Sequence, residues 1–158
     1  MTRSKRYQHK SALVVITGPV NVGKRTIAKA LEEELFKMGR FAYFLGIANT
    51  LLTEGRNTND KTLARAEHVK ELGEMAHVLT DAGLILLATV SDIDEYDLNT
   101  LIALNHPNPT LVVNVGGVVL SEKLIQLSLP AEESPANAAN KILKVLNPII
   151  ELDPEFAI

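Results

Sequence analysis

The stretch Gly18-Pro-Val-Asn-Val-Gly23, followed at once by Lys24, constrains this chain more than any other feature. The spacing G-x-x-x-x-G-K makes a loop whose backbone N–H groups wrap an anion and whose lysine reaches it. Such a loop works only where a strand leads in and a helix leads out. Both flanks are present. Ala12-Leu-Val-Val-Ile-Thr17 is a short apolar run rich in β-branched residues, as a buried parallel strand requires. Ile27, Ala28, Leu31, Leu35 and Met38 then recur at helical spacing, with Lys29, Glu32, Glu33 and Lys37 on the other side. Gly39 ends that helix. Strand, loop and helix N-terminus present N–H donors and a positive dipole end to an anion. A plain βα turn would share the glycines, but not the lysine and both flanks together.

The motif is broken at one place. Arg25 stands where a Ser or Thr hydroxyl would hold Mg²⁺. Thr26 comes one residue late, which turns its hydroxyl about 100° round the helix. Gly18, Asn21, Val22, Gly23, Lys24, Arg25 and Thr26 are therefore expected round a phosphate or sulfate, with Mg²⁺ binding in doubt. Arg25 either stands beside the anion as a second fixed cation, or folds inward, pairs with Asp92 and fills the seat itself.

Composition narrows the classes. A chain of 158 residues, 46% apolar and 22% charged, can bury one good core and is not generally disordered. With no cysteine, a disulfide framework, a thiol nucleophile and a thiolate zinc site are all excluded. A net charge of −3 gives no reason to expect nucleic-acid binding. No apolar run approaches a membrane span, and the basic opening at residues 1–10 lacks the apolar core of a signal peptide. That opening reads as a flexible arm or linker end, 11–150 as one domain and 151–158 as a tail. The expected compartment is the cytoplasm.

Strands and helices alternate through the rest. Strands are expected at 41–45, 84–90, 110–115 and 124–129, and helices at 47–54, 61–82, 94–104 and 134–146. Ser134 caps the last helix and Pro135 opens it. The pattern calls for an α/β fold, a three-layer αβα sandwich with a parallel sheet in which 84–90, the most apolar strand, is central and flanked by 12–17. Asp92 follows that strand; it is either a helix N-cap or a carboxylate replacing a lost metal ligand. His68 and His77 are too far round the helix from each other to share a metal, and Asn105-His-Pro-Asn-Pro109 reads as a rigid turn.

Segments 11–54 and 61–92 resemble adenylylsulfate kinase, the phosphate-loop enzyme that phosphorylates the 3′-hydroxyl of adenosine 5′-phosphosulfate (APS). The resemblance rests on Ala12-Leu-Val-Val-Ile-Thr-Gly, Lys24, Ile27-Ala-Lys-Ala-Leu-Glu, Leu72-Gly-Glu-Met-Ala and Thr80-Asp-Ala-Gly-Leu-Ile. It implies ATP or ADP as cofactor and Asn49, Arg65 and His68 as substrate-binding positions. The departures from the family pattern are as informative. Its loop carries Lys-Ser-Thr, here Lys24-Arg25-Thr26. Its Leu-Asp-Gly-Asp-Asn is here Leu45-Gly-Ile-Ala-Asn49, without either carboxylate. Its clamping string becomes Ala64-Arg65-Ala66-Glu67-His68-Val69-Lys70-Glu71, and the stretch after the central strand is acidic, Ser91-Asp-Ile-Asp-Glu-Tyr-Asp97. Only Gly116 to Lys123 stand where the family has a long basic lid.

Phosphoryl transfer depends on positioning, metal and positive charge acting together. The expectation is a catalytically impaired kinase-like domain, regulatory or structural in sulfate activation, of the kind found fused to ATP sulfurylase subunits, and homodimeric. An active divergent nucleotide kinase and a pure interaction domain with an empty loop are the alternatives.

Overall fold

In the computed structural model, residues 8–45, 61–117 and 123–152 are described, with residues 61–65 described in backbone only. The strands are β1 (Ala12–Gly18), β2 (Ala42–Leu45), β3 (Ile85–Ser91), β4 (Thr110–Val115) and β5 (Leu127–Leu129). The helices are α1 (Lys24–Lys37), α2 (Lys61–Asp81), α3 (Glu95–Asn105) and α4 (Pro135–Ile150). They alternate as the sequence reading expects, apart from residues 47–54, which lie outside the described residues.

All five strands run parallel in the order β2-β3-β1-β4-β5. Successive residues of β1 serve opposite faces. Ala12, Val14 and Ile16 pack with α1 and α4 through Ile27, Leu31, Leu35, Ile142 and Leu146. Leu13 and Val15 pack with α2 and α3 through Val69, Leu72, Leu98 and Leu101. A sheet covered by helices on both faces explains why β1 and β3 are continuous apolar runs rather than alternating ones. The result is the three-layer αβα sandwich.

Some details differ from expectation. The middle strand is β1, with β3 on one side and β4 on the other, whereas β3 lies between β1 and β2. Both strands are paired along both edges, so apolar content cannot tell the middle strand from its neighbour. β5 begins at Leu127 rather than 124 because Gln126 replaces a rung with its side chain: its Oε1 accepts from Val112 N at 2.6 Å. α4 runs past Leu146 through Pro148 to Ile150. Ile150 is fully buried, which repays extending the helix past a residue without an N–H. Its start is as expected: Ser134 Oγ accepts from Asn137 N at 3.2 Å, ahead of Pro135.

The turn after α3 is held by polar groups. Buried Asn105 donates from Nδ2 to Pro109 O (3.2 Å) and Thr110 Oγ1 (3.1 Å), and its Oδ1 lies 2.8 Å from Thr80 Oγ1 at the end of α2. The last part of the basic opening is fastened rather than solvated. Lys10 N donates to Ile150 O at 2.7 Å, and His9 is fully buried against the start of β2. Among the described residues no helix is long and apolar enough to cross a membrane.

Candidate phosphate-binding site

The loop between β1 and α1 sits where the C-terminal ends of β1, β3 and β4 meet, the usual ligand crevice of an open parallel sheet. Its conformation needs its glycines. Gly18 has φ 155° and its Cα faces the carbonyl of Val115 so closely that a Cβ would collide with it. Gly23 has φ 79° and caps α1 without a side chain. Asn21, between them, is left-handed at φ 72°. With no side-chain cap, the N–H groups of Lys24, Arg25 and Thr26 face outward from the positive end of α1.

Lys24 is buried and its Nζ donates to Pro19 O at 2.6 Å, within the loop itself. Burial pushes its pKa down, and the charge of Asp92 opposes that. Arg25 does not fold inward. It is exposed, as are Asn21 and Thr26, and it has no hydrogen bond or ion pair among the described residues. The residue filling the loop is therefore Lys24, because its stem runs back over the loop whereas Arg25 starts on the outer side of the helix. Val22 is half-buried and packs on the α1–α4 core, anchoring the loop.

Asp92 lies at the loop, its N–H donating to Gly18 O at 3.0 Å and its φ at 50°. It does not cap α3. Asp94 does, its Oδ1 accepting from Asp97 N at 2.7 Å, because the chain turns at Asp92 and is extended only at Asp94. That leaves the Asp92 carboxylate exposed and near Lys24.

Three polar residues that the sequence reading passed over lie buried near the ends of these otherwise apolar strands, Thr17 and Asn114 on the α2–α3 face and Ser91 on the α1 face. Thr17 Oγ1 accepts from Ile93 N at 3.4 Å, and Asn114 Nδ2 donates to Gly117 O at 3.5 Å. Gly117 comes so close to Asn114 Oδ1 that a side chain there would require Asn114 to move. The signal was available as a polar residue ending each apolar run.

The remaining expected residues are not brought to the loop. Asn49 and the side chain of Arg65 lie outside the described residues. His68 is buried on α2, and neither ring nitrogen has a partner among the described residues. The donors at the loop do not suit Mg²⁺: a guanidinium follows the lysine where a hydroxyl is needed, and Asp92 is a single carboxylate beside an ammonium. They do suit the phosphates of a nucleotide, which the α1 N–H groups and Lys24 would hold.

A sequence profile of adenylylsulphate kinase matches residues 10–98. The chain is 33% identical over 87 residues to adenylyl-sulfate kinase of Clostridium acetobutylicum, covering 55% of this chain and 44% of that enzyme. It is 35% identical over 88 residues to the bifunctional enzyme CysN/CysC of Rhodopirellula baltica, covering 56% of this chain and 14% of that one. The matched stretch is thus under half of each of these relatives. The fold superposes on APS kinase CysC of Mycobacterium tuberculosis in complex with AMPPNP and APS with a TM-score of 0.74, at 16% identity, over 87% of this chain and 98% of that one. With more than half of its residues inside the family profile, the chain belongs to the adenylylsulphate kinase family.

Proposed function

We propose that this domain binds a nucleotide or sulfate anion through the β1–α1 loop without Mg²⁺, transfers phosphoryl groups little or not at all, and serves sulfate activation in the cytoplasm as a regulatory or structural module. The observation that carries this reading is Arg25, exposed on the first turn of α1 immediately after Lys24. Two adjacent cations and free helix N–H groups favour an anion, and the same two cations disfavour a divalent metal. Binding has a defined first step on this chain: Lys24 leaves Pro19 O and turns its ammonium to the incoming phosphate. Exchanging a neutral carbonyl for an anion is favourable, since charge-assisted bonds are about twice as strong. ATP or ADP and APS are the candidate ligands, as the Mycobacterium tuberculosis protein was solved with AMPPNP and APS. The Rhodopirellula baltica fusion supports an ATP sulfurylase subunit as partner.

Calorimetric titration with ADP, with and without Mg²⁺, tests this. Wild type should bind equally in both, and Lys24→Ala should bind at least about tenfold more weakly. Equal binding by the two proteins, or none at millimolar ligand, replaces the proposal with an interaction domain whose loop is empty.

A second reading is an active, divergent kinase in which Asp92 supplies the carboxylate that the loop lacks. The position of Asp92 beside Lys24 favours it. Steady release of ADP from ATP, Mg²⁺ and APS, abolished by Asp92→Asn, would establish it. Without such turnover, Arg25→Ser alone should restore no activity, because the carboxylates at 45–49 and the lid remain missing.

A further inference from the structure

His9 belongs to the basic opening of the chain, yet its imidazole is fully buried at the foot of the sheet. Phe41 O accepts from Ile85 N at 2.9 Å, where β2 and β3 begin to pair. Phe41 N donates not to β3 but to His9 Nε2, at 3.0 Å. On the other side of the ring, Nδ1 lies 2.9 Å from Lys10 O. Lys10 N in turn donates to Ile150 O at 2.7 Å, at the end of α4. The ring also stacks on Phe41, with 6.0 Å between the ring centres. One side chain thus ties the entering chain to β2 and, through Lys10, to α4.

These two partners fix the proton. A carbonyl only accepts, so Nδ1 carries the hydrogen; an amide N–H only donates, so Nε2 offers its lone pair. The buried ring is therefore neutral and held in a single tautomer. A second proton would sit on Nε2 and face the Phe41 N–H, donor against donor, away from water. The charges around it do not favour that proton. Arg40, in the turn before β2, donates Nη1 to Gln8 O at 2.8 Å and repels a cation on the ring. Lys10, next along the arm, is itself a cation. The carboxylates that end α2 and follow α4, Asp81 and Glu151, are exposed. Burial is the main reason the pKa of the ring lies below 6.5; the bond to Lys10 O works against this and Arg40 works with it. The arm is also held in strained backbone, because Gln8 stands at φ 66°, left-handed for a residue with a Cβ.

We infer that His9 is a pH-sensitive clasp. Neutral, it holds residues 8–10 against β2 and the end of α4; protonated, it lets go of the Phe41 N–H, and the arm comes away while the sheet above it stays folded. The clasp lies at the N-terminal ends of the strands, opposite the phosphate-binding loop, and does not depend on a ligand there.

Hydrogen exchange and imidazole nitrogen shifts, followed by NMR on the whole chain from neutral to mildly acid pH, test this. At neutral pH the His9 shifts should show a proton on Nδ1 and a bare Nε2. The released ring takes up its second proton at a higher pH than the clasped one. Opening at the Phe41 and Lys10 amides, corrected for the intrinsic effect of pH on exchange, should therefore be level above about pH 6.5 and rise about tenfold per pH unit below it. The rise should level off where the clasped ring itself titrates. The amides of Val14 and Leu87, in the core, should keep their protection over the same range. His9→Gln, whose side-chain oxygen accepts from Phe41 N but takes up no proton, should abolish the rise. A proton on Nε2 at neutral pH, core amides that open together with Phe41 and Lys10, or a rise that persists in His9→Gln overturns the inference. Where His9→Gln fails to fold, wild type decides: opening that ignores pH, or that levels off away from the His9 titration, overturns it as well.

Discussion

Gly18 and Gly23 frame the same loop, yet replacing each by alanine should cost very different amounts. At Gly23 the φ of 79° strains any side chain, but an added Cβ meets nothing within 4 Å. Only the left-handed backbone is penalised, at about 1 kcal/mol. At Gly18 the φ of 155° is again unsuitable, and the Cβ would also be driven into the carbonyl of Val115, with the carbonyl carbon 3.1 Å away. That oxygen belongs to the end of β4, which is paired with β1 and cannot swing aside as a side chain could. Backbone strain of about 1–3 kcal/mol and strand displacement of about 1–3 kcal/mol then add. For a chain of this size each kcal/mol lowers the melting temperature by about 2–4 °C. Gly18→Ala should thus melt roughly 5–20 °C below wild type and Gly23→Ala only about 2–4 °C below. Differential scanning calorimetry in the absence of ligand reads both. Equal losses, or a larger loss at Gly23, would show that the approach of Gly18 to β4 does not govern the geometry of the loop.

Acid should weaken the protein partly through His9. Burial holds its pKa below 6.5, its hydrogen bond to Lys10 O opposes this, and the charge of Arg40 lowers it further. The unfolded chain therefore takes up this proton first, so the stability from neutral His9 is full above about pH 6.5 and is lost as pH falls below it. The urea midpoint should drop in that direction, and a matching drop in His9→Phe would rule His9 out as the cause. Asn105→Ala should cost about 2–3 kcal/mol in urea unfolding, since its hydrogen bonds to Thr80, Pro109 O and Thr110 are lost together at about 1 kcal/mol each; a change within error would mean the turn is held by packing alone. Asp94→Ala should cost about 1 kcal/mol through loss of the α3 cap and Asp92→Gly, which suits the left-handed turn, nothing comparable; the reverse order would return the cap to Asp92.

The loop was legible because its function needs fixed spacing: two glycines, a lysine, a strand before and a helix after. The strands were legible as apolar runs, and β3 was read as long and buried for the right reason, although pairing on both edges left its place in the sheet order open. Asp92 and Asp94 are indistinguishable as caps in sequence, since either stands before the helix. Only the left-handed turn at Asp92 decides between them. Thr17 and Asn114 could not be joined from sequence, because their meeting depends on strand order rather than on neighbours along the chain. The last helix, expected to end at 146, runs on through Pro148 because Ile150 is buried.

The hydrogen bond from Lys10 N to Ile150 O spans 2.7 Å. Lys10 leads into β1, and Ile150 ends α4. A polypeptide entering this fold thus leaves it from the place where it came in. Residues 10 and 150 stand side by side, so what enters and what leaves the described domain pass one point of its surface. By the same geometry residues 10 and 150 could be joined by a short linker and new ends opened in a surface loop, with the sheet order unchanged.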